Sequence, residues 1–180
     1  MIDRLNSYIG EEWVEGTPPF RSLINPTTGT LVAEVSSKGV DMASALNHAR
    51  EVGGVNLRKL TFAERGALLD RAAQVINAHR EDLIDSATVN GGNTRKDAKF
   101  DIDGATSTMA YYAQLGSKLG DSTYLVEGDA VRLSRNPRYV GHHIAVSKPG
   151  VAVHINAFNF PAWGTCEKAA VAILAGMPIV

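Results

Sequence analysis

Val151-Ala-Val-His-Ile155, Asn156-Ala-Phe-Asn-Phe-Pro161, Trp163 to Ala175, Gly176 and Met177-Pro-Ile-Val180 together decide the fold class. The first five residues are almost wholly apolar, the pattern of a short strand covered on both faces. A polar-aromatic loop follows. It ends in Pro161, whose fixed φ suits the first turn of a helix. Trp163 to Ala175 has helical periodicity, and Gly176 fits the position just past a helix C-terminus. Met177-Pro-Ile-Val180 opens a second strand. Strand, helix, strand within about thirty residues is one βαβ unit, the seed of a parallel nucleotide-binding sheet. The class is α/β.

Upstream, residues 1–150 read as a helical layer accompanied by hairpins. Tyr8-Ile-Gly10 and Trp13-Val14 flank Glu11-Glu12 as a short hairpin, and Leu23 to Val35 reads as strand, turn, strand around Pro26 and Gly29. Asp41 is placed as an N-cap, with Met42, Ala45, Leu46 and Ala49 at helical spacing before Gly53-Gly54. Thr61-Phe-Ala-Glu64 has the form of a capping box, opening a long helix to Ser86 with Leu69, Ala72, Ile76 and Leu83 on its apolar face. On that reading Arg65, Arg71, Arg80 and Glu81 lie largely off the face. Asn90-Gly-Gly-Asn93 breaks the chain, and a third helix starts near Thr94. Gly116 to Gly128 reads as loop, and Ala130–Ser134 with Tyr139–Val146 as a hairpin carrying Arg132, Arg135 and Arg138. Residues 1–150 are thus expected to hold the helical layer and oligomerisation hairpin, and residues 151–180 the first βαβ unit.

Composition narrows the function classes. The 180 residues are 44% hydrophobic and 21% charged, with a net charge of −1, which argues against a disordered chain and against a nucleic-acid partner. The longest apolar run, Ala169 to Val180, is interrupted by Gly176 and Pro178 and falls short of the about 20 residues that span a membrane. Met1-Ile-Asp-Arg-Leu-Asn lacks the basic and apolar regions of a secretory signal, and Cys166 is the single cysteine, so a cytoplasmic protein without a disulfide framework is expected. An apolar run at Met177-Pro-Ile-Val180 also suggests the front piece of a longer protein, because strands buried on both faces need partners and cover.

Ligands of open parallel sheets bind beyond the carboxyl ends of the strands. That position is held by Asn156 to Pro161, which offers two side-chain amides, two aromatic rings and a helix N-terminus. An Asn amide can donate to an oxygen that gains negative charge, as an oxyanion hole requires. Alternatively, Asn156 and Asn159 merely cap the helix and tie the turn. Neither a G-x-G-x-x-G after Ile155 nor a P-loop is present. Cys166 falls early in the helix, where the dipole could lower a thiol pKa, yet Ala169-Ala-Val-Ala172 favours a packed, structural thiol. His142-His143 point to opposite faces of a strand, His154 reads as a satisfied core histidine, and no metal site is expected. Glu167-Lys168 reads as a solvated or ion-paired couple.

Taken in order, Tyr8-Ile-Gly-Glu-Glu-Trp13, Ile24-Asn-Pro-Thr-Thr-Gly29, Phe62-Ala-Glu-Arg-Gly-Ala-Leu-Leu69 and Asn159-Phe-Pro161 resemble the N-terminal third of the aldehyde dehydrogenase superfamily. Most members carry P-W-N-F-P where this chain has Ala157-Phe-Asn-Phe-Pro161, so two of five positions depart. With Ser37-Lys-Gly-Val-Asp-Met-Ala43, Val151 to Pro161, Trp163-Gly164 and Glu167-Lys168, the chain is similar to one branch. That branch comprises the aldehyde dehydrogenase part of the bifunctional ring-opening protein of phenylacetate degradation and its relatives in the CoA-linked benzoate pathway. The resemblance covers essentially the whole chain.

The resemblance implies oxidation of an aldehyde by NADP or NAD through a cysteine thiohemiacetal, hydride transfer and thioester hydrolysis. It assigns Asn159 as the catalytic, oxyanion-stabilising residue. Ile155, Asn156, Ala157 and Phe158 become the stretch beside the nicotinamide ribose of the cofactor. The catalytic Cys and general-base Glu lie far downstream in the family, so the chain alone is expected to be inactive. A CoA-linked semialdehyde substrate and a homo-oligomer are implied. The competing class is a non-catalytic assembly module built on the helical layer and hairpin.

Overall fold

The computed structural model describes residues 3–180; Met1 and Ile2, the start of the stretch read for a signal, lie outside them. Two small sheets form the N-terminal edge. Strands β2 (Ser7–Ile9) and β3 (Glu12–Val14) pair antiparallel around Gly10-Glu11, as the hairpin reading expects. In the other sheet, β5 (Leu31–Val35) lies between β1 (Arg4–Leu5), its parallel neighbour, and β4 (Arg21–Ile24), its antiparallel one.

Helix α1 (Met42–His48) is capped by Asp41, whose carboxylate accepts from Ser44 N at 2.9 Å. It does not stop at the glycine pair. A π turn at Ala49–Gly53 leads directly into α2 (Gly54–Lys59). Gly54 serves close approach here: a Cβ on it would lie 3.0 Å from Pro178 Cγ and 2.8 Å from Arg58 Nη1.

Helix α3 (Phe62–Ala78) opens on the expected capping box, with Thr61 N donating to Glu64 Oε2 at 2.8 Å and Glu64 N to Thr61 Oγ1 at 3.2 Å. The long helix expected to Ser86 is two helices. His79, at φ −101° and ψ 18°, ends α3 and begins α4 (Arg80–Gly91). The bend delivers Ile84 into a small cluster with Ala98 and Ile102 of α5 (Arg95–Leu119), and Arg80 grips Asp103 with bonds of 2.7 and 2.8 Å. α4 ends at the expected break, and Thr94 caps α5.

α3, α5 and α6 (Pro161–Leu174) enclose the main core, built from Phe62, Leu69, Met109, Cys166, Ala170 and Leu174 among others. Burying each large side chain of this kind contributes about 1.5–3 kcal/mol. Arg65 departs from the sequence reading. It is 0% exposed on the inner face of α3. Its guanidinium donates to the carbonyls of Leu57 (3.0 Å), Arg58 (3.3 Å) and Leu174 (3.2 Å) and to Ser147 Oγ (3.3 Å). Burial, and then the charge of Arg58, push its pKa down.

The region expected as loop from Gly116 is instead the end of α5 and the start of β6 (Tyr124–Arg132), which pairs antiparallel with β7 (Val140–Val146). Val126, Val131, Ile144 and Val146 of this hairpin are each more than half exposed. The chain then returns to the βαβ unit. Ala152 and Ile179 form a parallel bridge across α6, with Ala152 N donating to Pro178 O and Val180 N to Ala152 O. The parallel order is the expected one, but residues 151–155 and 177–180 meet in this single bridge instead of forming strands, and Val153 and Ile155 are 61% and 89% exposed, so the segment is not covered on both faces. No helix of the described residues is long and apolar enough to cross a membrane.

Candidate active site

The loop Asn156 to Phe160 leaves the carboxyl end of the parallel bridge and enters α6 at Pro161. Neither asparagine caps the helix. The N-cap is Phe160, which has no capping side chain. The capping comes from α5: the fully buried carboxylate of Asp101 accepts from Trp163 N at 2.7 Å and from Ala162 N at 3.2 Å. The helix N-terminus that the sequence offered as a ligand site is therefore already occupied by a protein anion. Sequence reasoning passed over Asp101, and its spacing one residue before Ile102 in the apolar register of α5 was the available signal.

Each part of the loop is held by a different neighbour. Asn93 Nδ2 donates to the backbone carbonyl of Asn159 at 3.0 Å. Lys168 Nζ donates to Asn156 Oδ1 at 3.0 Å and to Gly164 O at 2.9 Å. Lys168 is thus a clamp across the first turn of α6, which corrects the reading of a solvated or ion-paired lysine, while Glu167 is exposed as expected. Phe160 packs edge-on against Phe100, centroids 6.3 Å apart, and Phe100 against Trp163 at 5.2 Å. Gly104 makes room for that indole, since a Cβ there would lie 2.6 Å from Trp163 Cδ2.

Against this fixed backbone, the Asn159 side-chain amide is exposed and makes no hydrogen bond among the described residues. Ile155, Ala157 and Phe158 are exposed in the same segment, Ile155 and Phe158 at 89% and 85%. Four of the five residues singled out are therefore exposed, with Asn156 half-buried under Lys168.

Two other titratable groups are accounted for. Cys166 is buried in the core, and desolvation, followed by the charge of Asp101, pushes its thiol up to about 11. It is a poor nucleophile near neutrality. His154 is half-buried and its Nδ1 has no hydrogen-bond partner among the described residues, so the reading of a satisfied core histidine is corrected. Among those residues no three His, Cys, Asp or Glu side chains assemble into a metal cluster.

Asp101→Ala is expected to destabilise the protein by about 2–3 kcal/mol, combining the loss of a cap with buried N–H groups left unpaired. Asp101→Asn, which keeps one acceptor, should lose less. Urea unfolding measures both, and equal stabilities of Asp101→Ala and wild type would contradict the capping role.

A parallel bridge crossed by a helix, with an exposed amide at its carboxyl end, stands where open α/β sheets place their ligands. Residues 13–180 match the model of the aldehyde dehydrogenase family. The chain belongs to that family. It is 44% identical over 176 residues to 3,4-dehydroadipyl-CoA semialdehyde dehydrogenase of Aromatoleum evansii, covering 98% of this chain and 34% of that one. It is 30% identical to retinal dehydrogenase 2 of Mus musculus, covering 96% and 32%. Among solved structures it resembles an NAD-dependent benzaldehyde dehydrogenase from Corynebacterium glutamicum, with a TM-score of 0.81 and 26% identity over 99% of this chain and 37% of that one. The chain thus spans about a third of the length of the curated relatives it matches.

Proposed function

We propose that this chain supplies the cofactor-side, N-terminal portion of an NAD(P)-dependent semialdehyde dehydrogenase that oxidises a CoA-linked semialdehyde from aromatic degradation to the carboxylic acid. One observation carries the reading. Asn159 has its backbone fixed by Asn93 and its capping duty taken by Asp101, which leaves its amide free and exposed. An amide whose donors are not used inside the protein is available to an oxygen that gains negative charge. A loop whose asparagines served only structure would show Asn159 bonded within the turn.

In this mechanism Asn159 Nδ2–H donates to the aldehyde oxygen as that oxygen takes on negative charge during thiol attack. Ile155, Ala157 and Phe158, which are exposed, and Asn156, whose amide Lys168 fixes, would hold the nicotinamide ribose of the cofactor. NADP or NAD held there would supply the hydride acceptor. The thiol nucleophile is not Cys166, whose sulfur is buried and held protonated. We assign the nucleophile and the general base to residues beyond these 180. Within this reading residues 1–150 form the helical layer and hairpins, and residues 151–180 the first βαβ unit. The CoA-linked class is supported by the 44% identity to a CoA-semialdehyde dehydrogenase, and the exposed apolar face of the β6–β7 hairpin supports a homo-oligomer.

The complete protein, offered a CoA-linked semialdehyde and the same carbon chain without CoA, is expected to reduce NADP or NAD with both and to favour the CoA-linked one in kcat/KM. Absence of aldehyde-dependent cofactor reduction with every aldehyde would overturn the proposal.

A further inference from the structure

We infer that Asn93, in the break between α4 and α5, is a positioning residue for Asn159: its side-chain amide sets where the Asn159 donor stands when an aldehyde oxygen takes on charge. The inference rests on the proposed role of Asn159 as the oxyanion donor and adds what holds that donor in place.

The segment that carries the donor has few anchors. Among the described residues, Ala157 and Phe158 make no hydrogen bond. Asn159 makes one, its carbonyl accepting from Asn93 Nδ2 at 3.0 Å. The nearest polar anchors on either side are Lys168, which donates to the Asn156 amide, and Gly164 N, which donates to Phe160 O at 3.0 Å. The Asn93 bond alone therefore fixes the peptide that leaves Asn159. A carbonyl pinned beside Cα limits how far the side chain can swing, and a donor that is already in place is what stabilises an oxyanion without reorganisation.

Asn93 itself stands on a rigid base. Gly92 ends α4 in the left-handed conformation, φ 69°, with its N–H donating to Thr88 O at 3.2 Å, and Thr94 caps α5 immediately after. Asn93 is the one residue between the two caps. Gly92 also seats this junction on the turn between β4 and β5, since a Cβ on it would lie 2.6 Å from Pro26 Cγ. That turn is stitched by Asn25 Oδ1, which accepts from Thr27 N at 2.9 Å and Thr28 N at 3.2 Å. The glycine and the second asparagine of Asn90-Gly-Gly-Asn93 thus do more than break a helix. They carry the rigidity of two helix ends and a turn to the carbonyl of Asn159. Because that partner is an acceptor, a side chain of the same size without an N–H cannot replace Asn93.

The test uses the complete protein and Asn93→Leu, which keeps the size of the side chain but donates nothing, made alone and together with Asn159→Ala. With Asn159 in place, Asn93→Leu is expected to lower kcat about 10–100-fold, the scale of loss that misplacing a reacting group brings. With Asn159→Ala already present, the same change is expected to alter kcat by less than about twofold, because the donor it positions is gone. Cofactor affinity should stay near wild type, since Lys168 still holds Asn156. Equal losses of kcat in the two backgrounds, or a cofactor affinity that falls with the rate, would make Asn93 a general brace of the loop and overturn the inference. An unchanged kcat in Asn93→Leu would overturn it as well. If Asn159→Ala costs no rate, or no aldehyde is oxidised, the oxyanion reading fails on its own. A crystal structure of Asn93→Leu beside wild type then decides the positioning: a displaced Asn159 supports it, and superimposed loops refute it.

Discussion

Asn159→Ala in the complete enzyme is expected to lower kcat by about 10²–10³-fold, the usual cost of removing one oxyanion-hole donor. The reasoning starts from what the residue does not do. Its side chain ties no turn and caps no helix, so its removal takes away no bond seen in the folded chain. Stability and cofactor affinity should therefore stay close to wild type while the rate collapses. Asn159→Asp keeps the size but sets a carboxylate against a developing oxyanion, and it should be at least as damaging. Steady-state kinetics combined with a cofactor binding titration separates the cases. Equal losses of rate and cofactor affinity would mark Asn159 as a structural residue of the loop.

Arg65→Met is the largest expected loss of stability, about 3–5 kcal/mol. Methionine fills much of the stem volume but donates nothing. Three carbonyls, of Leu57, Arg58 and Leu174, and the Ser147 hydroxyl then lose their donor, and the Leu174 carbonyl does so in a buried setting. Arg65 joins the end of α2 to the C-terminus of α6, and so fixes the helix that carries the site loop. A positive charge close to the last carbonyls of α6 also complements the helix dipole. Arg65→Lys retains charge but cannot reproduce the fork, and should fall between the two. Urea unfolding at fixed protein concentration measures the series. A Met variant within about 1 kcal/mol of wild type would show that these carbonyls find replacement donors.

Local signals carried most of what could be read in advance. The Thr61 capping box, the Asp41 cap and the helix start near Thr94 depend on neighbours in sequence, and the structure contains each of them; of the strand, helix, strand order of residues 151–180 it contains the helix and a single parallel bridge. Contacts across the sequence were not legible. Arg65 reaches partners up to 109 positions away, and Asp101 caps a helix 61 residues downstream; the register of Asp101 in α5 hints at burial, but nothing local names the partners of either. The bend at His79 has no glycine or proline to announce it and is set by the docking of α4 on α5. Residues 151–155 look like a doubly covered strand because both their faces are apolar, yet in this chain one parallel neighbour pairs with them and Ile155 stands open. The position of Asn159 was readable from its motif. Its freedom to donate was not, because that depends on Asp101 and Asn93 relieving it of other work.

The central claim, that Asn159 faces the reacting oxygen, is tested most directly by a crystal structure of the complete enzyme with NAD(P) and a slowly reacting aldehyde. The account predicts Asn159 Nδ2 at about 2.7–3.1 Å from the substrate oxygen, with Asp101 still capping α6. A substrate oxygen bound by other donors, with the Asn159 amide turned into the loop, would contradict it.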